Sequence, residues 1–365
     1  MNLRIAVIGR TGRGNYGHGL DVVWKQFPAP RVEVVAVADE DEAGGRAAAA
    51  RLGVRAVYRD YREMLRQERP DVVSIAPRWV DAHHDMVMAA AEARASIYLE
   101  KPMARSLAEA DAMLAACERA HVKLAMAHQM RLAPNVLHAR ELVAAGQIGD
   151  LLEMRARGKE DRRAGGEDLM VLGTHVMDLM RLFAGDPLWT LGHVAQGAAD
   201  LARAHVRDGA EGLGPLAGDN IAALYAFPRG VHGFFGTRQN EDTSGVRFGV
   251  DFLGSRGLIT LRAGMDPEIH LFRSRSWAPA QGSEWTRVTA PDHQRPAGEA
   301  FQVANARLVA DLLDAIENDT QPRSSGYDGR WALEMILSIY QSQRSGTRVP
   351  LPMSQRRHPL ADWSS

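Results

Sequence analysis

The stretch that decides the fold reads Leu3-Arg4-Ile5-Ala6-Val7-Ile8-Gly9-Arg10-Thr11-Gly12-Arg13-Gly14. Its apolar first half predicts a β-strand and its second half a glycine-rich turn, after which we expect a helix. This order is the context of a phosphate-binding fingerprint, in which backbone amides and a helix N-terminus face the pyrophosphate of a dinucleotide. The second glycine of that fingerprint is Thr11 here, so a plain strand-to-helix turn stays open as the alternative.

Residues 1–127 alternate apolar strand runs with helical patterns, which indicates a parallel sheet with helices on both faces. The predicted strands are Leu3–Ile8, Val32–Ala38, Val54–Val57, Val72–Ile75, Ile97–Leu99 and Lys123–Ala127. The predicted helices include Ala43–Leu52, Tyr61–Gln67, His84–Glu92 and Leu107–Ala120. The fifth strand ends in Tyr98-Leu99-Glu100-Lys101-Pro102-Met103, at the carboxyl edge where open α/β sheets bind ligands.

The pattern changes at about residue 128, and we place a second α/β domain over 128–365. Its first predicted elements are the helix Val136–Ala145, the strand Leu151–Gly158, a Gly/acidic loop Gly165–Asp168, the helix Thr174–Phe183 and a surface excursion over 197–219. The later ones are the strands Ile221–Phe227, Val231–Thr237, Val246–Leu253 and Leu258–Leu261, with turns at Pro228-Arg229-Gly230 and Gly254-Ser255-Arg256-Gly257, and the helices Phe301–Glu317 and Trp331–Gln343. These hairpins predict a large, open, mainly antiparallel sheet.

The strands of this sheet carry apolar residues on both alternations. The residues concerned are Ile221, Leu224, Tyr225, Phe227, Phe234, Phe235, Phe248, Val250 and Phe252. One covered face does not require so many, and a second apolar face needs a partner. We therefore expect oligomerisation through this sheet.

Composition narrows the class of protein. A length of 365 residues favours two domains, and a formal net charge of −1 gives no reason to expect nucleic acid or an anionic membrane as partner. Cys117 is the single cysteine, and its Ala/Leu-rich surroundings favour an inert buried thiol over a nucleophile. The sequence contains no signal peptide and no apolar run of about 20 residues, so we expect a soluble cytoplasmic protein.

Asp39 ends the second predicted strand, where an acid can bind the adenosine ribose hydroxyls and repel a 2′-phosphate. Three further acids follow Asp39 directly, and no arginine follows it directly. This favours NAD over NADP. The alternative is an acidic N-cap for the next helix.

Lys101 follows the fifth strand and precedes a proline. A lysine held near a nicotinamide can relay a proton from a substrate hydroxyl, provided that burial lowers its pKa. A solvated lysine at a strand end is the alternative. We also predict that the Lys101–Pro102 peptide is cis.

His175 opens the predicted helix Thr174–Phe183, and a neutral imidazole at a helix N-terminus suits a general base near pH 7. Asp178 lies three residues on, on the same face of the helix, where it can orient the ring. A histidine that only packs against its neighbours is the alternative.

Taken together, an ordered series of motifs covers essentially the whole chain. It consists of the glycine turn, Asp39, Pro77 with His83 beyond it, Glu100-Lys101-Pro102, Gln129, Arg131, Pro134, Gly146-Gln147-Ile148-Gly149, Gly173-Thr174-His175 with Asp178, the Leu253–Gly257 hairpin and Gly346–Pro350. This series resembles the glucose–fructose oxidoreductase / inositol dehydrogenase / rhizopine catabolism (Gfo/Idh/MocA) family of sugar and cyclitol dehydrogenases.

The resemblance implies a Rossmann domain, an α/β domain with an open sheet used for oligomerisation, and hydride transfer between NAD and a hydroxyl-bearing carbon. Its roles map onto Lys101 as the proton-relay and cofactor-positioning lysine and onto His175 as the acid/base. The residues expected at the cofactor are Gly9, Thr11, Gly12, Arg13, Gly14, Asp39, Pro77, Arg78, Trp79, His83, Glu100, Lys101, Pro102 and Gln129. Those expected at the substrate are Lys101, Arg157, Lys159, Glu167, Asp168, Thr174 and His175. We expect no metal, a carbohydrate-like small molecule as substrate, and a homodimer or homotetramer.

One position departs from the family pattern. Members usually carry an aspartate four residues before the histidine, and this chain has Val171. The nearby acids Glu167 and Asp168 are candidates to replace it. Three functions therefore stay open: a dehydrogenase of sugars, cyclitols or glycosides; an enzyme that retains its NAD and cleaves glycosides by oxidation and elimination; and a non-catalytic NAD-binding sensor.

Overall fold

The computed structural model describes residues 2–27, 29–163, 165–239, 245–279, 282, 284–291, 293, 300–361 and 363. Packing divides the chain into two compact units. The first comprises Met1–Gln129, Glu211–Leu213 and Gly298–Arg330, and the second comprises Met130–Ala210, Gly214–Ala297 and Trp331–Ser365. Among the described helices, none is both long and apolar enough to span a bilayer.

The elements up to residue 126 alternate as predicted. They are β1 (Leu3–Ile8), β2 (Val32–Ala38), α1 (Glu42–Leu52), β3 (Ala56–Tyr58), α2 (Tyr61–Glu68), β4 (Val72–Ile75), α3 (His83–Glu92), β5 (Ser96–Leu99), α4 (Leu107–Ala120) and β6 (Leu124–Met126). The strands form a parallel sheet in the order β3-β2-β1-β4-β5-β6, with helices packed against it. The predicted parallel α/β architecture is confirmed.

The segment after the glycine turn differs from the prediction. We expected a helix directly after Gly14, but residues 16–21 form turns and only a short 3₁₀ helix follows, at Val22–Gln26. Gly12, Gly14, Gly17 and Gly19 all have positive φ, between 58° and 93°. A right-handed helix cannot pass through such residues, so the glycines that suggested a fingerprint also prevent its helix.

The rest of the chain supplies the second unit and returns to the first. Its elements are α5 (Pro134–Ala144), β7 (Leu151–Arg157), α6 (Gly166–Val171), α7 (Gly173–Ala184), β8 (Trp189–Gln196), β9 (Ala199–Asp200), β10 (Arg207–Asp208), β11 (Pro215–Leu216), β12 (Asn220–Ala226), β13 (His232–Arg238), β14 (Gly249–Gly254), β15 (Gly257–Arg262), β16 (Glu268–Phe272), β17 (Trp285–Val288), α8 (Ala300–Glu317), α9 (Gly326–Ser345) and β18 (Val349–Pro350). The described strands of the large sheet follow the order β17-β16-β15-β14-β7-β13-β12-β8-β18, with β9 beside β8. Only the β13–β7 pair is parallel among them, so the mainly antiparallel sheet and both predicted hairpins are confirmed.

Five of the described strands of this sheet, β8, β9, β16, β17 and β18, were not predicted. In β8, Gly192 interrupts the run of side chains. A Cβ at Gly192 would lie 2.7 Å from the Ile339 side chain of α9, so this glycine allows a helix to approach the strand closely.

Two further predictions in this unit were wrong. The Gly/acidic loop at Gly165–Asp168 is mostly helical, since α6 begins at Gly166. A Cβ there would meet the Ala217 carbonyl and the Tyr340 hydroxyl, each at 2.8 Å, and this tight packing is invisible in the sequence. The excursion over 197–219 is not all surface, because Leu213 and Leu216 are buried and β10 pairs with β11.

The apolar residues of the large sheet are divided unevenly between its faces. Seven of the nine are buried: Ile221, Tyr225, Phe227, Phe235, Phe248, Val250 and Phe252. The other two, Leu224 and Phe234, are cross-strand neighbours, and Leu191 of β8 faces Leu224 from the other side. Phe234 is 39% and Leu191 44% exposed. The second apolar face is therefore a short row on the open side of the sheet.

Candidate functional site

The carboxyl edge of the parallel sheet brings together the ends of β1, β2, β4 and β5. The strand order runs outward in both directions from β1 and β4, which makes this pair the switch point where such sheets bind ligands. Gly14 shows how closely the two strand ends approach. A Cβ on Gly14 would lie 2.7 Å from the amide nitrogen of Arg78 and 2.6 Å from that of Trp79, both just beyond β4 and the buried Ile75.

The amides of the glycine turn are largely used within the turn itself. The Gly12 amide donates to the Asn15 side chain at 3.0 Å, and the Arg13 amide donates to the Arg10 carbonyl at 2.9 Å. By contrast, a Cβ on Gly12 would meet no atom of the described residues within 4 Å. The turn thus offers an open face at Gly12 rather than a ring of unpaired amides.

Asp39 is buried and is held by the same turn. Its carboxylate accepts from the Thr11 amide at 3.1 Å, from the Thr11 hydroxyl at 2.7 Å, from the Tyr16 hydroxyl at 2.8 Å and from the Asp41 amide at 3.0 Å. The N-cap of α1 is Asp41, not Asp39, so the alternative reading of Asp39 as a helix cap is wrong. Asp39 instead fixes the turn against the end of β2.

Two arginines of the turn converge on Asp81, which follows β4. Arg10 Nη1 lies 3.3 Å and Arg13 Nη2 3.2 Å from the Asp81 carboxylate. Arg10 Nε also lies 3.6 Å from Glu40, and the Arg13 guanidinium sits over the Trp79 ring at 5.3 Å from its centroid. Arg10, Glu40 and Asp81 were not predicted as site residues, since no motif in the sequence links them.

Lys101 lies at the end of β5 and is buried, so the alternative of a solvated lysine is wrong. Its amide donates to the carboxylate of Glu100 at 2.9 Å. Glu100 is fully buried and also contacts the His18 ring through Nδ1. Burial raises the pKa of Glu100, but His18 and Lys101 together outweigh that effect and hold the pKa below its usual value.

The Lys101–Pro102 peptide is cis, as predicted. Buried His83 bridges the two strand ends at this point. Its Nε2 lies 2.7 Å from the Pro77 carbonyl and its Nδ1 lies 3.0 Å from the Pro102 carbonyl. His83 therefore positions the backbone on both sides of the crevice.

These residues fit a bound dinucleotide in several respects. Gly12 leaves space for a close approach, and buried Gln129 has a side-chain amide nitrogen with no hydrogen-bond partner in the described part of the chain. A buried donor of this kind needs an acceptor. The guanidinium of Arg13, about half exposed, supplies positive charge for a phosphate. Gly9 allows the Tyr16 ring to pack against the turn, because a Cβ at Gly9 would overlap that ring.

In the second unit, His175 and Thr174 are buried in the first turn of α7. The preceding helix α6 ends at Val171, and the His175 amide donates to the Leu172 carbonyl at 3.1 Å. Because α6 runs almost directly into α7, this helix start is not an open N-terminus, and the dipole argument for His175 is weaker than the sequence suggested.

Asp178, expected to orient His175, forms a buried ion pair with Arg131. Arg131 Nη1 lies 2.6 Å from its carboxylate. The pair links the short turn before α5, which contains Arg131, to α7. Orientation of His175 by Asp178 stays a prediction.

Asp168 and Glu167 follow the helix start at Gly166, and each has protein partners. Asp168 is fully buried and accepts from the Thr237 hydroxyl at 2.5 Å and from the amides of Lys159 and Glu160 at 3.2 Å each. Burial raises the pKa of Asp168, although these hydrogen bonds oppose the shift. Glu167 pairs with Arg207 at 2.9 Å. Asp168 thus holds the loop after β7 in place, whereas Glu167 links α6 to β10.

The basic residues at the end of β7 and just after it pair with two acids, Glu160 and Asp161. Arg157 contacts Glu160 directly, and the Arg238 amide donates to it at 3.0 Å. Lys159 and Arg163 lie instead at Asp161, at 3.5 Å and 2.8 Å. Arg157 and Lys159 are partly exposed, and each is held by an acidic partner.

Comparisons with known proteins agree with this arrangement. Residues 3–128 match the family model described as oxidoreductase family, NAD-binding Rossmann fold, and residues 140–351 match the oxidoreductase family C-terminal alpha/beta domain. D-apiose dehydrogenase of Paraburkholderia graminis is 28% identical over 348 residues, covering 91% of this chain and 87% of that protein. A D-xylose 1-dehydrogenase (NADP(+)) of Haloferax volcanii is 33% identical over 186 residues, covering 48% and 56%.

The solved structure of a levoglucosan dehydrogenase in complex with NADH has a TM-score of 0.77 to this chain at 21% identity, covering 97% of this chain and all of the other, which shows a common fold. The resemblance drawn from the ordered motifs is confirmed. The chain belongs to the Gfo/Idh/MocA oxidoreductase family and is a dehydrogenase-type enzyme with an NAD-binding Rossmann domain.

Proposed function

We propose that this enzyme transfers a hydride between NAD and a hydroxyl-bearing carbon of a sugar, cyclitol or glycoside. The observation that carries the proposal is the buried Lys101 at the carboxyl edge of the sheet, beside the switch point between β1 and β4. The names of the relatives, among them an apiose, a xylose and an inositol dehydrogenase, support a polyhydroxylated substrate.

We assign the proton of the reacting hydroxyl to Lys101 and His175. Bound NAD supplies the hydride acceptor or donor, and the protein supplies groups that take and return a proton. Both side chains are buried, so water competes little with such a transfer. The two residues lie in different units of the chain, and their joint action on one substrate is part of the proposal.

NAD is the proposed cofactor in preference to NADP. Asp39 places a carboxylate at the end of β2, and Glu40 follows it. The Arg10 guanidinium lies near Glu40, but it also pairs with Asp81, which offsets its positive charge. Titration with both dinucleotides should show tighter binding of NAD. Equal or tighter binding of NADP would contradict the assignment.

One observation favours a second candidate, the oxidation and elimination of glycosides with retained NAD. Val171, where the family has an aspartate, is a buried apolar residue, so the usual third ionisable group is missing at this position. The two activities differ in their products. A dehydrogenase forms NADH in step with substrate loss, whereas the eliminating enzyme releases an aglycone without net NADH.

A screen of sugars, cyclitols and aryl glycosides with NAD tests both candidates by NADH absorbance and product analysis. On an active substrate, Lys101→Ala and His175→Ala should each lower the chemical rate by ~10²–10⁴-fold, the usual effect of losing a positioned acid or base. NAD affinity should survive His175→Ala. Lys123→Ala is the matched control, because Lys123 pairs with the exposed Asp319 at 2.6 Å. Full activity in both variants would refute the assigned roles, and no turnover of any substrate would favour a sensor.

A further inference from the structure

His18 lies between Gly17 and Gly19 in the turn segment and makes a contact that the assigned roles leave unused. Its Nδ1 contacts one oxygen of the Glu100 carboxylate, while the other oxygen accepts from the Lys101 amide at 2.9 Å. Glu100 is fully buried, whereas the His18 side chain is 25% exposed. A group that can exchange protons with solvent thus reaches the acid next to the proposed catalytic lysine.

Three further contacts hold His18 in this position. The Asn305 side chain of α8 donates to the His18 carbonyl at 2.8 Å, and the Tyr98 hydroxyl donates to Asn305 at 2.7 Å. Gly17 packs so closely that a Cβ would lie 2.5 Å from the Ala76 carbonyl and 3.3 Å from Glu100. The backbone of the turn is therefore fixed directly over the Glu100 side chain.

The titratable groups described at His18 are Glu100 and Lys101 at the end of β5 and Tyr98 within it, while the contact from α8 is the neutral Asn305. The His18 ring contacts the buried Glu100 carboxylate, and the charge of Lys101 also acts on that carboxylate. A carboxylate that has only the lysine as counter-charge favours its ammonium form, and an ammonium cannot accept a proton.

We infer that His18 is a positioning residue for Lys101. It binds and compensates the Glu100 carboxylate, so that Lys101 can lose its proton and act as a base near neutral pH. The inference rests on the proposed role of Lys101 but concerns its charge, which can be measured without substrate or cofactor.

The charge of Lys101 can be followed by competitive labelling of the NAD-free protein with acetic anhydride across neutral to alkaline pH. The chain has only four lysines, Lys25, Lys101, Lys123 and Lys159, so each gives a separate peptide in mass spectrometry. In His18→Asn, which removes the imidazole ring but keeps a small polar side chain, the labelling midpoint of Lys101 should rise by about one pH unit. The midpoint of exposed Lys25 should not move.

Two comparisons show whether the effect passes through Glu100. In a Glu100→Gln background, His18→Asn should no longer shift the midpoint, and in the otherwise native chain His84→Asn, a surface histidine of α3, should leave it unchanged. An unmoved midpoint in His18→Asn, or an equal shift without the Glu100 carboxylate, would overturn the inference. If His18→Asn does not fold, His18→Gln serves the same comparison.

The pH profile of kcat/KM gives an independent second readout. The pH at which activity rises should move upward in His18→Asn by the same amount as the labelling midpoint. A fall in rate at all pH values with an unchanged profile would indicate a structural role and overturn the inference. Full activity of Lys101→Ala would instead refute the proposed function, and the labelling result would still decide the role of His18.

Discussion

The hydroxyl of Tyr16 donates a hydrogen bond of 2.8 Å to the carboxylate of Asp39, which links the glycine turn to the end of β2. Burial and the nearby Asp39 charge raise the pKa of Tyr16 well above its ordinary value, so the phenol stays neutral and remains a donor. The Arg51 guanidinium covers the Tyr16 ring at 5.0 Å. The acid expected to read the cofactor ribose is therefore also the anchor of the turn.

Removing this hydroxyl should destabilise the fold. In Tyr16→Phe, buried Asp39 loses one donor to a charged acceptor, which should lower the free energy of unfolding by about 1.5–3 kcal/mol. Tyr58→Phe is the matched control, since Tyr58 donates to the more exposed Glu68 at 2.7 Å. Urea unfolding should show a clearly smaller loss for Tyr58→Phe, and equal losses would contradict the anchoring role of Asp39.

Gly12 and Gly53 allow backbone strain to be separated from ligand approach. Their φ values are 79° and 76°, and within the part of the chain that the structure describes a Cβ at either position would meet no atom within 4 Å. Substitution by alanine should therefore lower the free energy of unfolding by a similar amount at both positions, about 1–2 kcal/mol, because the backbone is left-handed at each. Only Gly12→Ala should also weaken NAD binding, by about tenfold or more, because its Cβ would occupy the open face of the turn. NAD titration and thermal unfolding of both variants provide the check.

His358 should make the protein sensitive to acid. Burial lowers its pKa to about 4, and its Nδ1 accepts from the Leu360 amide at 3.1 Å. The unfolded chain, with an ordinary histidine pKa near 6.5, binds the proton more readily than the folded chain does. The stability contributed by neutral His358 is thus fully present above about pH 6.5 and is lost as pH falls towards 4.

The size of this effect can be measured against a variant. Between about pH 7.5 and 4.5 the native chain should lose about 2 kcal/mol more unfolding free energy than His358→Gln. Parallel pH dependence in the two proteins would show that His358 is not the titrating group. The exposed His84→Gln should behave like the native chain.

The open face of the large sheet should mediate self-association. Leu191, Leu224 and Phe234 form a cross-strand row there, and burial of such a row requires a second surface. Light scattering should show a dimer or tetramer for the native chain and a smaller species for Phe234→Arg. Tyr327→Arg, which alters an apolar residue of comparable exposure in the other unit, should not change the mass. A native monomer at micromolar concentration would refute this prediction.

The sequence by itself determined the strand-and-helix order of the first unit from β2 to β6, the hairpins of the second and the location of Lys101 at a sheet edge. Each of these depends on local signals: apolar runs such as Leu3–Ile8, turn residues such as Pro228-Arg229-Gly230, and the fixed polarity of parallel strands. The family could be recognised for the same reason, because its motifs are short and contiguous.

Only the tertiary structure decided how the polar groups pair. Asp39 accepts hydrogen bonds from Thr11 and Tyr16, and Asp168 accepts one from Thr237. His18 contacts Glu100, which lies 82 residues further along the chain. Each of these contacts joins distant segments. The close approach of α9 to β8 at Gly192 is of the same kind. A hydrogen bond or a packing contact depends on distances below about 4 Å, which the spacing of residues along a chain cannot fix.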